Sequence, residues 1–178
     1  FYVSGKVAAE GNFINNQKDS VWKYYSQDKR LIYEESYKLG KKNGLYKSYY
    51  DNGSVYETLS WKDDQMHGDL IQYYKDGSYK AYAKYDKGVQ TGKVKVFYFG
   101  GKLRVEGTYK KGLKDGPWKF YNEEGKLVGE VKYQLGEADS KNEFLEKESL
   151  MLQQMISNAG KIQEPDAEEF LKKMGISY

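Results

Sequence analysis

The sequence predicts a mainly β protein. Residues 1–138 read as an elongated single antiparallel sheet of successive 24-residue β-hairpin repeats, and residues 139–178 as a C-terminal helical segment. Three observations carry this. Gly44, Gly68, Gly92 and Gly116 recur every 24 residues without an insertion, with Ser20 in the same phase one period earlier. Turn dipeptides such as Asn52-Gly53 and Asp76-Gly77 recur in that phase. Beyond Gly136 the pattern stops and a helical spacing of apolar residues begins. A fixed period of this length marks units that bury their apolar faces on one another.

Composition narrows the function. The 178 residues carry 29 Lys+Arg against 26 Asp+Glu, a balance that does not call for nucleic acid. Cysteine is absent and His67 is the one histidine, which excludes disulfide staples, cysteine nucleophiles and histidine-rich zinc motifs. No apolar run approaches the ~20 residues of a membrane helix. Mean hydropathy is −0.90, yet 16% of the residues are aromatic, which favours a packed chain over a disordered one.

With Gly44 as position zero, each unit spells one hairpin. The start of the chain supplies half a unit: Gly5, Val7, Glu10, Gly11 and Phe13 match Gly101, Leu103, Glu106, Gly107 and Tyr109. Five full units follow. Positions 8 and 9 (Asn52-Gly53, Asp76-Gly77, Gly100-Gly101) read as two-residue type I′ turns, which place facing residues at positions summing to 17. About eleven strands are expected, from Lys6 to Tyr133.

Alternation then sorts the side chains onto two faces. Face one takes positions 2, 4, 6, 11, 13, 15 and 17; in the unit at Gly92 these are Val94, Val96, Tyr98, Leu103, Val105, Gly107 and Tyr109. Face two takes positions 3, 5, 10, 12, 14 and 16, and is polar except for position 5. Lys23, Lys47, Lys95 and Lys119 sit at position 3, with Glu34, Glu106 and Glu130 opposite three of them. The unit at Gly68 replaces both partners with apolar or aromatic residues, Ile71 and Tyr82, as direct cross-strand neighbours would.

In the tail, Phe144, Leu145, Met151, Leu152, Met155, Ile156 and Ala159 mark an amphipathic helix from Ser140 to Asn158, interrupted by Glu148. A second short helix is expected after Pro165. The stripe suits the uncovered apolar face of an open sheet, and the tail is expected to fold back onto it.

The unit Gly-x-Trp/Tyr-x-x-Tyr-Tyr-x-x-Gly-x-Leu/Val-x-x-Glu-x-x-Tyr-x-x-Gly resembles the MORN repeat, in the variant form common in bacterial proteins. It is plainest over Gly92–Asp115 and Gly116–Asp139, and the resemblance covers residues of about 5–138. It implies an elongated array of hairpins used to bind proteins or lipid headgroups, sometimes attached to enzymes, and in some relatives labelled antitoxin-like. Ser20, Lys29 and Asp64 stand where the pattern has glycine, so those turns are expected to differ.

The row Tyr25, Tyr49, Tyr73, Phe97, Tyr121 lies on the polar face, its members ~9.6 Å apart. Where it passes the break at Ile71 and Tyr82 it forms an apolar centre with a charged rim, the layout of a binding hot spot. The candidate binding residues are therefore Tyr49, Ile71, Tyr73, Tyr82 and Phe97. His67 reads as a turn residue, and no acid/base pair, metal-ligand set or phosphate loop departs from the repeat. The reading is a non-catalytic scaffold or binding module for a protein partner, with no cofactor and no metal. The alternative is a module for membrane lipid headgroups, choline or cell-wall glycan; a third reading is an accessory domain of an enzyme or antitoxin-like protein. Phe1 in place of Met suggests a removed leader and hence the bacterial envelope or secretion.

Overall fold

The computed structural model describes residues 1–140, 142–157 and 159–160. Thirteen strands form one antiparallel sheet in chain order. They are β1 (Ala9–Ile14), β2 (Gln17–Tyr25), β3 (Leu31–Lys38), β4 (Lys41–Tyr49), β5 (Val55–Lys62), β6 (Gln65–Tyr73), β7 (Tyr79–Asp86), β8 (Val89–Phe97), β9 (Leu103–Lys110), β10 (Leu113–Lys114), β11 (Gly116–Tyr121), β12 (Leu127–Gln134) and β13 (Glu137–Ala138). A helix, α1 (Glu143–Ser157), follows. The sheet is open, and there is no helix between β1 and β13. The count exceeds the expected eleven because β10 and β11 share one strand's place, split at Asp115 before Pro117, and because β13 adds a short pair to β12.

The turns differ from the sequence expectation. Within a unit, the Tyr50 N–H donates to Ser54 O and the Gly53 N–H to Tyr50 O, closing a loop of three residues. Gly53 (φ 83°) is left-handed and Asn52 is not, so this is no type I′ turn. The Asn52 and Asp76 carboxamide and carboxylate instead accept the N–H groups of Ser54 and Ser78. The two-residue turns with positive φ at both centres, as type I′ requires, lie between units: Leu39-Gly40 (49° and 79°), Lys87-Gly88 (48° and 79°), Leu135-Gly136 (50° and 93°). Ser20 (62°), Lys29 (62°) and Asp64 (65°) take the left-handed backbone themselves, so the turns without glycine do not differ as expected. Asp64 is held there by its Oδ1, which accepts the Lys42 N–H at 2.8 Å.

The extra loop residue is absorbed by a bulge. Positions 2, 3 and 4 face 15, 14 and 13 as expected: Tyr46↔Leu59, Lys47↔Thr58, Ser48↔Glu57. Position 5 then faces 11, not 12: Tyr49↔Val55, Tyr73↔Tyr79, Phe97↔Leu103. Positions 11 and 12 consequently exchange the faces expected of them. Tyr79 stacks on Tyr73 of face two, while Arg104, at position 12, reaches α1 across face one.

Face one is the core. Positions 15 and 2 of successive units pair large with small side chains at both ends, Gly11 with Trp22 and Gly107 with Trp118, and side chains of medium size between them, Leu59 with Leu70. The row at positions 4 and 13 contains a surprise for an apolar face. Ser48, Glu57 and Gln72 are fully buried in its middle, as is Glu35 in the row beside it. The Gln72 side-chain N–H donates to Glu57 Oε2 at 2.7 Å; Glu35 takes Lys42 Nζ at 2.8 Å and the Tyr37 hydroxyl at 2.7 Å. Burial raises the Glu57 carboxyl above the ordinary glutamate value.

Helix α1 covers this face, as the tail's stripe predicts. Leu145 fills the space above Gly129 of β12, Glu148 meets Arg104 of β9, and Lys114 of β10 donates to the Ser149 hydroxyl. Past the helix, the Gly160 N–H donates to Glu57 Oε1 of β5 at 2.7 Å. Leu145, Leu152, Ile156 and Ala159 are buried, but Met151 is 40% exposed and leaves the expected stripe. The side chains of Phe144 and Met155, and the second helix expected after Pro165, lie outside the described residues. Glu148, which breaks the stripe, is the anchor: its two oxygens take the Arg104 guanidinium at 2.8 Å each.

Candidate binding face

Face two carries a charged ladder across neighbouring strands. Its order is Glu10, Lys23, Glu34, Lys47, then Thr58, Ile71, Tyr82, then Lys95, Glu106, Lys119, Glu130. Every glutamate from Glu34 to Glu106 lies between two lysines, one in its own unit and one in the next. Lys47 and Glu34 close to 3.5 Å, partly in solvent, where such a pair is worth ~0–1 kcal/mol. The break therefore spans three adjacent strands, β5 to β7, and includes Thr58.

The position-5 row is tied to this ladder. The hydroxyls of Tyr25, Tyr49 and Tyr121 donate to Glu10 (2.5 Å), Glu34 (3.0 Å) and Glu106 (2.9 Å) of the preceding unit. The bond to Glu10 pushes Tyr25 up to about 12, and burial with the bond to Glu34 does the same for Tyr49. At the break the pattern lapses on both sides. Thr58 stands in the preceding unit where the other tyrosines find a glutamate, so Tyr73 has no such acceptor, and Phe97 has no hydroxyl to give. These two rings turn to each other instead, through Tyr79: Tyr73–Tyr79 centroids are 5.5 Å apart and Tyr79–Phe97 6.3 Å. Tyr79 is 56% exposed. Tyr82 donates its hydroxyl to Asp69 Oδ1 at 2.9 Å.

Of the residues the sequence singled out, Ile71 and Tyr82 are cross-strand partners, and Tyr73 and Phe97 join one aromatic cluster. Tyr49 is held by Glu34 in the polar ladder and has no ring contact with that cluster. Tyr79 was missed because the unbulged register put position 11 on the other face. Its signal was legible, since position 11 is aliphatic in the other units (Leu31, Val55, Leu103, Leu127). His67 lies in β6, not in a turn, with Nδ1 3.1 Å from Asp86 Oδ1.

Face one holds the other aromatic rows, and the chain's own lysines occupy them. Lys18 Nζ lies 4.8 Å from the Trp22 ring, Lys42 4.8 Å from Trp61, and Lys114 5.0 Å from Trp118 and 4.9 Å from Tyr133. Among the described residues, no cluster of three or more potential metal ligands forms, and no helix is long and apolar enough to cross a membrane.

The fold and this face define a class: an open single-sheet array of β-hairpin repeats, covered on one face by a helix and bare on the other among the described residues. Three stretches of the chain match the MORN repeat variant. Residues 42–63, 90–111 and 114–135 match that family, each match beginning two residues before the phase glycine. The units beginning at Lys18 and Met66 occupy the same phase between and before them. MORN repeats are generally binding or scaffold units. No curated protein matches the chain.

Proposed function

We propose that the protein is a non-catalytic scaffold or binding module that holds a protein partner on face two of its sheet. The observation that carries this is the break in the charged ladder. Ile71, Tyr73, Tyr79, Tyr82 and Phe97 form one aromatic and aliphatic patch, flanked along the ladder by Lys47 and Lys95, on the face opposite α1. An apolar centre inside a polar rim is how protein interfaces concentrate their energy. A choline or headgroup reading would use tyrosine faces as cation partners. It is less favoured, because the lysine-lined rings of face one are already engaged and most position-5 hydroxyls are bonded to glutamates.

The test restores the ladder. I71K/Y82E places a lysine and a glutamate where other units have them, with Lys95 as the next neighbour. Capture is measured with purified protein, beside phosphatidylcholine vesicles and cell-wall glycan. The expected result is a protein captured by the native chain and lost by a variant that melts at the same temperature. Capture of vesicles or glycan without protein replaces the reading, and undiminished capture by the folded variant removes the patch.

A further inference from the structure

We infer that the partner segment docking on face two is acidic, carrying aromatic or aliphatic anchors between its carboxylates; this rests on the reading of that face as a protein-binding surface. Around the patch, the side chains of β6 to β8 that share its face include Lys84, Lys93 and Lys95, against two acids, Asp69, the cross-strand partner of Lys84, and Asp86, which lies 3.1 Å from His67 Nδ1 at the far end of β7. Those three lysines make no ion pair among the described residues, whereas Asp69 accepts the Tyr82 hydroxyl.

The basic surface continues away from the rings. Between β8, β9 and β11 the same face opens a cleft of about 170 Å³, lined by Lys93, Lys95 and Lys119 around Glu106. Glu106 accepts the Tyr121 hydroxyl at 2.9 Å and offsets one charge of its cross-strand neighbours Lys95 and Lys119, which leaves the three lysines a net excess of positive charge. The cleft is smaller than the ~300–1,000 Å³ of small-molecule sites, and suits single carboxylate side chains. Apolar patch and lysine cleft adjoin at β8, where Phe97 closes one and Lys93 and Lys95 line the other. A segment crossing from β6 to β11 would lay its apolar residues on Ile71, Tyr79 and Phe97 and its carboxylates on the lysines. Such charge matching sets specificity and on-rate.

The experiment selects binders from a phage-displayed library of random peptides on the full chain. Selected peptides are then measured by fluorescence anisotropy on the native protein and on Y79S, I71K/Y82E and K93E/K95E. The expected selection is rich in Asp and Glu alternating with aromatic or aliphatic residues. Affinity falls about tenfold or more for each variant and weakens with salt. Basic or uncharged selections, no selection at all, or K93E/K95E binding as the native chain does, overturn the acidic assignment. That result leaves the docking face standing if Y79S and I71K/Y82E still lose binding. Acidic peptides that bind both patch variants undiminished overturn the docking face itself. Capture of phosphatidylserine vesicles that K93E/K95E abolishes, with no peptide selected, makes the surface a membrane contact and overturns the inference.

Discussion

Gly107 carries no side chain because Trp118 occupies the place of its Cβ: a β-carbon there would lie 2.3 Å from the indole ring. Its backbone φ is not among the left-handed ones, so space and not conformation demands glycine. Gly11 meets Trp22 in the same way, and both indole N–H groups donate to a carbonyl one residue on, at 3.2 and 3.1 Å. Gly107→Ala should therefore cost about 1–3 kcal/mol in a urea titration. G107L/W118L, which copies the Leu59 and Leu70 pair, should recover part of it. Glu57 makes a second prediction. Its folded value is raised by burial, so folded protein keeps the proton over a window above 4.5 where the unfolded chain has lost it. Stability contributed below that window is lost as pH rises through the raised folded value. Glu57→Gln should abolish this loss, and at neutral pH should melt no lower than the native chain. A steeper pH dependence in the variant would contradict the account.

At the scale of elements, four of the five joints between successive units are fastened at the loop end by a tyrosine; the unit at Ser20 has Ser26 in that place. The hydroxyls of Tyr2, Tyr50, Tyr74 and Tyr98 donate to the backbone carbonyls of Tyr25, Tyr73, Phe97 and Tyr121, all at 2.6 to 2.9 Å. The opposite fastening is α1. Its 15 residues span ~23 Å, and with the turn to Gly160 they link β12 to β5. Without it, Leu70, Val94, Val96 and Trp118 would form a bare apolar strip. Truncation after Asp139 should lower both melting temperature and solubility, measured by calorimetry and sedimentation. An unchanged melting temperature would mean that the helix contributes nothing to the cover.

At the scale of the whole molecule, an array in which units touch only their neighbours would unfold unit by unit. Arg104–Glu148 and Gly160–Glu57 place contacts of one helix on units far apart in the chain, and so couple them. Trp61 and Trp118 report on β5 and β11. Single-tryptophan versions of the full chain should show coincident urea transitions at these two sites. The two should separate in the chain truncated after Asp139. Separate transitions in the intact chain would show that α1 does not bind the array into one unit.

The amino-acid sequence by itself determined the repeat, its phase, the strand order and the face of most side chains. A 24-residue period with alternating apolar positions has one economical solution, a sheet of hairpins in chain order. It also determined the cross-strand identity of Ile71 and Tyr82, because a paired exchange of ionic for apolar residues records direct contact. Only the tertiary structure decided the turns. Asn-Gly and Asp-Gly fit both a type I′ turn and a three-residue loop with a bulge, and the choice depends on how the whole strand pair twists. That one extra residue carried Tyr79 to the exposed face and Arg104 to the covered one. It also made sense of Glu148, which looks like an error in an apolar stripe until the guanidinium it binds arrives from 44 residues away. Local pattern reads periodicity; a bulge and a long-range ion pair are settled by the packing of the whole sheet.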